Sequence, residues 1–160
     1  MKKVFVCLLL IILSVIIACE KKVDIEKTKS EVKQTIDAFH QAYFNKNFET
    51  FSKFFAIDRD ILFLGTSNNE YLVGRENVLN SYKESINTIE FTNVDIQKES
   101  IHVHSSGNIA WITRIDNVKA KSGDMTFDLN GLRWTAILEK INGEWVFVHS
   151  HTSLPTPEGS

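Results

Sequence analysis

From residue 91 onward the chain alternates side-chain character in four long runs, and this pattern limits its fold more than any other feature. The runs are Phe91 to His104, Ile109 to Ala120, Met125 to Lys140 and Trp145 to Leu154. Alternation rich in β-branched and aromatic residues predicts strands. Ser105-Ser106-Gly107-Asn108 and Asn142-Gly143 supply the hairpin turns between them. Strands this long twist and curl, so one face becomes concave and needs covering.

The residues that precede them can provide the cover. Val32, Ile36, Phe39 and Tyr43 recur at three- and four-residue spacing, the stripe of an amphipathic helix. Asn45-Lys46-Asn47 breaks it, and Phe48, Phe51, Ser52, Phe54 and Phe55 predict a second, shorter helix. Ile61 to Leu64 is a short buried strand ended by Gly65, and Tyr71-Leu72-Val73 is its return strand. Gly74-Arg75-Glu76 opens a third helix to about Ser85, with Val78, Leu79 and Tyr82 inward. The expected fold is α+β: a curved antiparallel sheet wrapped as a cone around three N-terminal helices. No internal repeat and no second domain is visible.

The first 18 residues predict a targeting segment. Lys2 and Lys3 precede an almost unbroken apolar run from Val4 to Ile17. That run is short for a membrane span, which takes roughly 20 residues, and fits the core of a signal peptide. Ile16-Ile17-Ala18-Cys19 is similar to a bacterial lipobox. Cleavage after Ala18 with lipid on Cys19 would anchor the protein in the cell envelope, on the periplasmic face or the cell surface. Residues 19–29 then read as a tether, 30–155 as the domain and 156–160 as a tail. Of the two cysteines, Cys7 would leave with the signal, so the mature body has no thiol pair for disulfide or metal chemistry. Of 18 basic and 20 acidic residues, two lysines leave with the segment, giving a formal charge of −4. Without a basic block in the domain, nucleic-acid binding is not expected.

The closing segments carry a family resemblance. Arg133-Trp134-Thr135-Ala136-Ile137-Leu138-Glu139-Lys140, then Asn142-Gly143-Glu144-Trp145 and His149-Ser150-His151-Thr152-Ser153, look like the end of a SnoaL-like domain of the nuclear-transport-factor-two-like superfamily. The ending Trp-x-Phe-Val-His-x-His-x-Ser also resembles the last strand of the calcium/calmodulin-dependent kinase association domain. The resemblance spans about Ser30 to Pro155. It implies a pocket between the concave sheet face and the first helix, and a homodimer formed through the outer sheet face. It does not deliver an activity, because the superfamily mixes enzymes with binding and assembly modules. The kinase domain's carboxylate-binding arginines would fall near Ala136 and Thr113, where this chain has none.

Within the last strand, strict alternation puts Trp145, Phe147, His149, His151 and Ser153 on one face. His149 and His151 are therefore expected to line the mouth of the pocket; facing solvent, away from any cavity, they would remove the ligand-binding and the enzyme readings built on them together. His102 and His104 form a second pair, but a meander separates the two pairs by roughly 14 Å, so no metal site is expected. Arg133, in a strand otherwise made of Leu, Trp, Ala and Ile, reads as an anion clamp or as one half of a structural ion pair. Arg114 and Asp116, two residues apart, read as a surface pair. His40 flanks the stripe of the first helix, and Tyr43 serves as core or as a pocket donor.

The expected function is a lipid-anchored module binding a small organic ligand, without cofactor, in a pocket lined by Tyr43, Trp111, Arg133, His149 and His151. The alternatives are a cofactor-free isomerase, dehydratase or hydrolase using acid–base chemistry, and a dimeric assembly module with a vestigial pocket.

Overall fold

A computed structural model describes residues 23–156. The targeting segment 1–18, Cys19 and the tail beyond residue 156 lie outside the described residues.

Helix α1 (Ile25–Phe44) starts where the Asp24 side chain accepts the Lys27 amide hydrogen at 3.0 Å, a side-chain N-cap. Its buried residues, Thr28, Val32, Ile36, Phe39, Ala42 and Tyr43, extend the expected stripe. Helix α2 (Phe48–Ser52) is shorter than its aromatic residues suggest, because the chain turns after Ser52. Phe55 instead bridges to Phe147: the Phe147 amide donates to Phe54 O at 2.8 Å, and the Ala56 amide to Phe147 O at 3.2 Å. Strands β1 (Leu62–Leu64) and β2 (Tyr71–Val73) form a short hairpin ahead of α3 (Arg75–Thr88).

The long strands β3 (Glu90–Val103), β4 (Ile109–Ser122), β5 (Met125–Ile141) and β6 (Glu144–Ser153) follow as an antiparallel meander. The six strands make one sheet in the order β2-β1-β6-β5-β4-β3, with β1 parallel to β6. The β5–β6 turn has positive φ at both Asn142 (52°) and Gly143 (91°), the conformation that Asn-Gly favours in a two-residue hairpin loop.

Bulges curve this sheet. Thr92 and Gln97 are extra residues on β3, and one extra residue stands on β5 opposite Asn117. There Gly131 takes φ 73° and its amide donates to Asn117 Oδ1 at 3.0 Å. The bulge on β6 has the largest consequence. Ile137 pairs with His149 while Leu138 pairs with Phe147, so Val148 is the extra residue on β6. A one-residue insertion reverses the facing of all that follows. Trp145 and Phe147 point into the cone, and beyond the bulge Ser150 and Thr152 do so in place of His149 and His151.

The core fills the closed end of the cone. Phe51, Phe55, Phe147, Ile36, Ile61, Ile86, Ile112 and Leu138 are all fully buried. Lys140 Nζ donates to Glu31 Oε2 at 2.6 Å and ties α1 to the end of β5. Phe147→Ala is expected to lower unfolding free energy by about 3–5 kcal/mol. The exposed His151→Ala is expected to stay within about 0.5 kcal/mol. Urea unfolding of both variants checks the reversal at Val148; equal losses would contradict it.

Candidate functional site

The inner sheet face grades from apolar at the closed end to polar at the open end. At the closed end Ala110 of β4 lies beside Leu138 of β5, and next comes the row Ile112, Ala136, Ser150. One further row toward the mouth, Glu99, Arg114, Trp134 and Thr152 lie side by side on four strands. Asp116 follows on β4, opposite Leu132.

Between these residues and α1 lies a cavity of about 220 Å³. Phe39, His40, Tyr43 and Phe44 form the helix wall; Arg114, Asp116, Leu132 and Trp134 form the sheet wall. A second lobe of about 240 Å³ runs toward β1 and β2, and the two share Tyr82, Ser85, Phe91, Leu132 and Thr152. A mostly aromatic hollow with a few converging polar groups is the usual composition of a small-molecule site.

The polar groups are strongly constrained. Arg114 and Asp116 are 7% and 3% exposed. Arg114 donates to one Asp116 oxygen, Oδ2, from Nε at 2.9 Å and from Nη2 at 2.7 Å. Its guanidinium also stands 5.4 Å from the Trp134 ring centre, within cation–π range. The Trp134 indole donates to Ser150 Oγ at 2.9 Å, and the Tyr43 hydroxyl is hydrogen-bonded to Ser85. Burial raises the Tyr43 pKa, with the Ser85 bond opposing, so the phenol stays neutral. Burial also holds the His40 imidazole down to a pKa of about 3, helped by the Arg114 guanidinium and by Lys33, against a smaller pull from Asp37.

Of the five residues expected to line the pocket, only Tyr43 does. Trp111, Arg133, His149 and His151 share a face, but it is the outer one. His102, Trp111, Ile137 and His149 form one cross-strand row there; Thr113, Thr135 and His151 form the next, and Arg133 pairs between Ile115 and Ser153 beyond it. Trp111 is 38% exposed and stacks on His102 with ring centres 5.4 Å apart. The Val148 bulge explains the histidines. Trp111 and Arg133 lie outside because Ala110, Ile112, Trp134 and Ala136 take the inward parity. The closing-strand histidines thus lie on the outer face, apart from this cavity, and the pocket expected around them gives way to one lined by α1 and the inner sheet face.

Arg114 and Asp116 correct the expectation of a surface pair: they are the buried polar centre of the cavity. Their signal is present in β4, where Ala110, Ile112, Val118 and Ala120 have the same parity and are all small or apolar. A charged pair inside such a run is enclosed with it. Among the described residues, no group of three or more His, Cys, Asp or Glu side chains could hold a metal ion.

His40 has a pH consequence. Its folded pKa lies below the ordinary 6.5, so the unfolded chain binds the proton more readily, and stability falls as pH drops through 6.5 toward 3. Each unit below 6.5 removes up to about 1.4 kcal/mol. His40→Asn is therefore expected to flatten the decline in urea midpoint between pH 7 and pH 4; parallel profiles for wild type and variant would contradict the assignment.

Several solved structures share the fold. A candidate dehydratase from the nuclear transport factor 2-like family of Streptomyces avermitilis aligns with TM-score 0.70 and 21% identity, covering 82% of this chain and 98% of its own. A nuclear transport factor 2-like superfamily protein of Salmonella enterica gives TM-score 0.69 at 20% identity, over 84% and 95%. A candidate calcium/calmodulin-dependent protein kinase II association domain of Xanthomonas campestris gives TM-score 0.64 at 21% identity, over 80% and 87%. Among curated proteins no relative matches. Residues 32–157 match the SnoaL-like domain family, and with that match and this cone the chain belongs to it.

Proposed function

We propose that this SnoaL-like domain binds a small organic ligand between α1 and the inner face of β3–β6, and that binding rather than turnover is its role. The observation that carries the reading is the cavity itself: an aromatic enclosure with one buried polar centre, Arg114 and Asp116, at its open end. His40 favours binding over catalysis, since an imidazole that accepts a proton only near pH 3 is a poor general base at neutral pH.

A second reading, acid–base catalysis, draws on one observation. Asp116 Oδ1 accepts no hydrogen bond among the described residues, and such a buried carboxylate oxygen could take a proton from a substrate. The candidate dehydratase of the same fold adds no residue-level support at 21% identity. Mass spectrometry separates the two readings: a ligand recovered unchanged after prolonged incubation counts against turnover.

A fragment screen followed by thermal shift tests the cavity. Ligands that stabilise the wild type are expected to lose that effect in Val94→Trp, which puts an indole at the cavity wall, while circular dichroism stays unchanged. Stabilisation retained by the variant would contradict the assignment.

We further infer that the domain is held at the cell envelope by lipid on Cys19 and pairs with a second copy through its outer sheet face. The apolar run before Cys19 supports the first. The exposed Trp111 and Ile109 on that face support the second. Alkyne fatty-acid labelling should be lost in Cys19→Ala, and sedimentation should show a dimer that Trp111→Glu dissociates. Equal labelling, or a monomeric wild type, would contradict the respective claim.

A further inference from the structure

Arg114 and Asp116 line the cavity, Glu99 is the neighbour of Arg114 on β3, and the hydrogen bonds among the three are unevenly shared. Arg114 gives Nε and Nη2 to a single oxygen of Asp116, and its Nη1 stands 3.9 Å from Glu99 Oε2. Asp116 Oδ1 and Glu99 Oε2 are shielded from water and accept no hydrogen bond among the described residues. Glu99 Oε1 lies 3.8 Å from Lys33, which is itself paired with Asp37. Lys33, Asp37, Glu99, Arg114 and Asp116 together therefore carry one excess negative charge.

Neutral donors in the wall do not cancel that charge. The Trp134 N–H is given to Ser150, and the Tyr43 and Ser85 hydroxyls bond each other, while the Tyr82 and Thr152 hydroxyls also line the cavity. The sheet wall thus offers one unpartnered carboxylate oxygen, Asp116 Oδ1, and one cation already engaged by carboxylates. A buried acceptor without a partner is destabilising, and a donor delivered by a ligand removes that cost.

We propose that the cavity selects ring-bearing alcohols or amines over carboxylates, by seating an O–H or N–H of the ligand on the Asp116 carboxylate. The proposal rests on the cavity being the ligand site, as argued above. An apolar cavity of about 150 Å³ takes benzene, so about 220 Å³ accommodates a ring with a short polar arm. Aromatic side chains on both walls, Phe39 and Trp134 among them, suit the ring. Asp116 is 3% exposed, so the donor reaches it after side-chain rotations of the kind common on binding. A carboxylate would instead add a second negative charge beside a buried group that already carries one in excess.

Benzyl alcohol, benzylamine, benzoate and toluene, titrated into the protein at neutral pH, test this by NMR. The Trp134 indole N–H resonance reports on the cavity, and Trp111, on the outer face, serves as the internal control. The alcohol or the amine is expected to bind about tenfold or more tightly than toluene and benzoate. Asp116→Asn, which frees the Arg114 guanidinium, is expected to lose that preference and gain benzoate binding. The wild-type ranking stands as a test even if the variant does not fold. Benzoate or toluene binding as tightly as benzyl alcohol overturns the proposal while leaving the cavity a binding site. No response of Trp134 to any of the four overturns the proposal and the cavity reading together.

Discussion

The interior of this domain depends on one extra residue in its last strand. Phe147 is held where it is by the backbone bridge to Phe54 and Ala56, which fixes the closed end of the cone. Val148 then breaks the pairing rhythm with β5, and Ser150 and Thr152 turn inward instead of two imidazoles. Small side chains at those positions leave space, and the space becomes the cavity. Without the bulge, His149 and His151 would project into the volume now bounded by Trp134, Leu132 and Tyr82. On its other side β6 pairs in parallel with β1 through residues 149–151, and β2 lies beyond β1.

The buried Arg114–Asp116 pair follows from the regularity of β4. That strand keeps its inward parity from Ala110 to Ala120, so charged residues at 114 and 116 have nowhere to go but inside. A buried ion pair contributes little net stability, because desolvation offsets most of the attraction. Its hydrogen bonds are also lopsided, with both Arg114 donors on one Asp116 oxygen. A stability role alone would be met as well by apolar residues of similar volume. Burial lowers the His40 pKa most, and the Arg114 guanidinium adds to it; the same guanidinium stands over the Trp134 ring.

Much of the architecture was legible from residue order. The α1 stripe, the third helix, the four long strands and the Asn142-Gly143 turn all rest on local patterns that tertiary packing did not overrule. The pocket was harder to place. Nothing in Phe147-Val148-His149 marks a bulge; no glycine or proline interrupts a run well suited to a regular strand. Strict alternation therefore carried His149 and His151 to the wrong face, and Trp111 and Arg133 were grouped with them. The grouping holds in space, but on the convex side. The inner polar centre was readable in principle from the small and apolar neighbours of Arg114 and Asp116, yet a charged pair at i and i+2 is ordinarily a surface feature. Only the sheet register shows which parity faces α1.

The most direct test of this account is an experimental structure of the protein purified from its own cells, solved without added ligand. The account predicts density for a small molecule, or ordered water in its place, between α1 and the inner sheet face, in contact with Trp134 and the Arg114–Asp116 pair. A ligand seated instead against His149 and His151 on the outer face, or a cavity closed by side chains around Arg114, would contradict it.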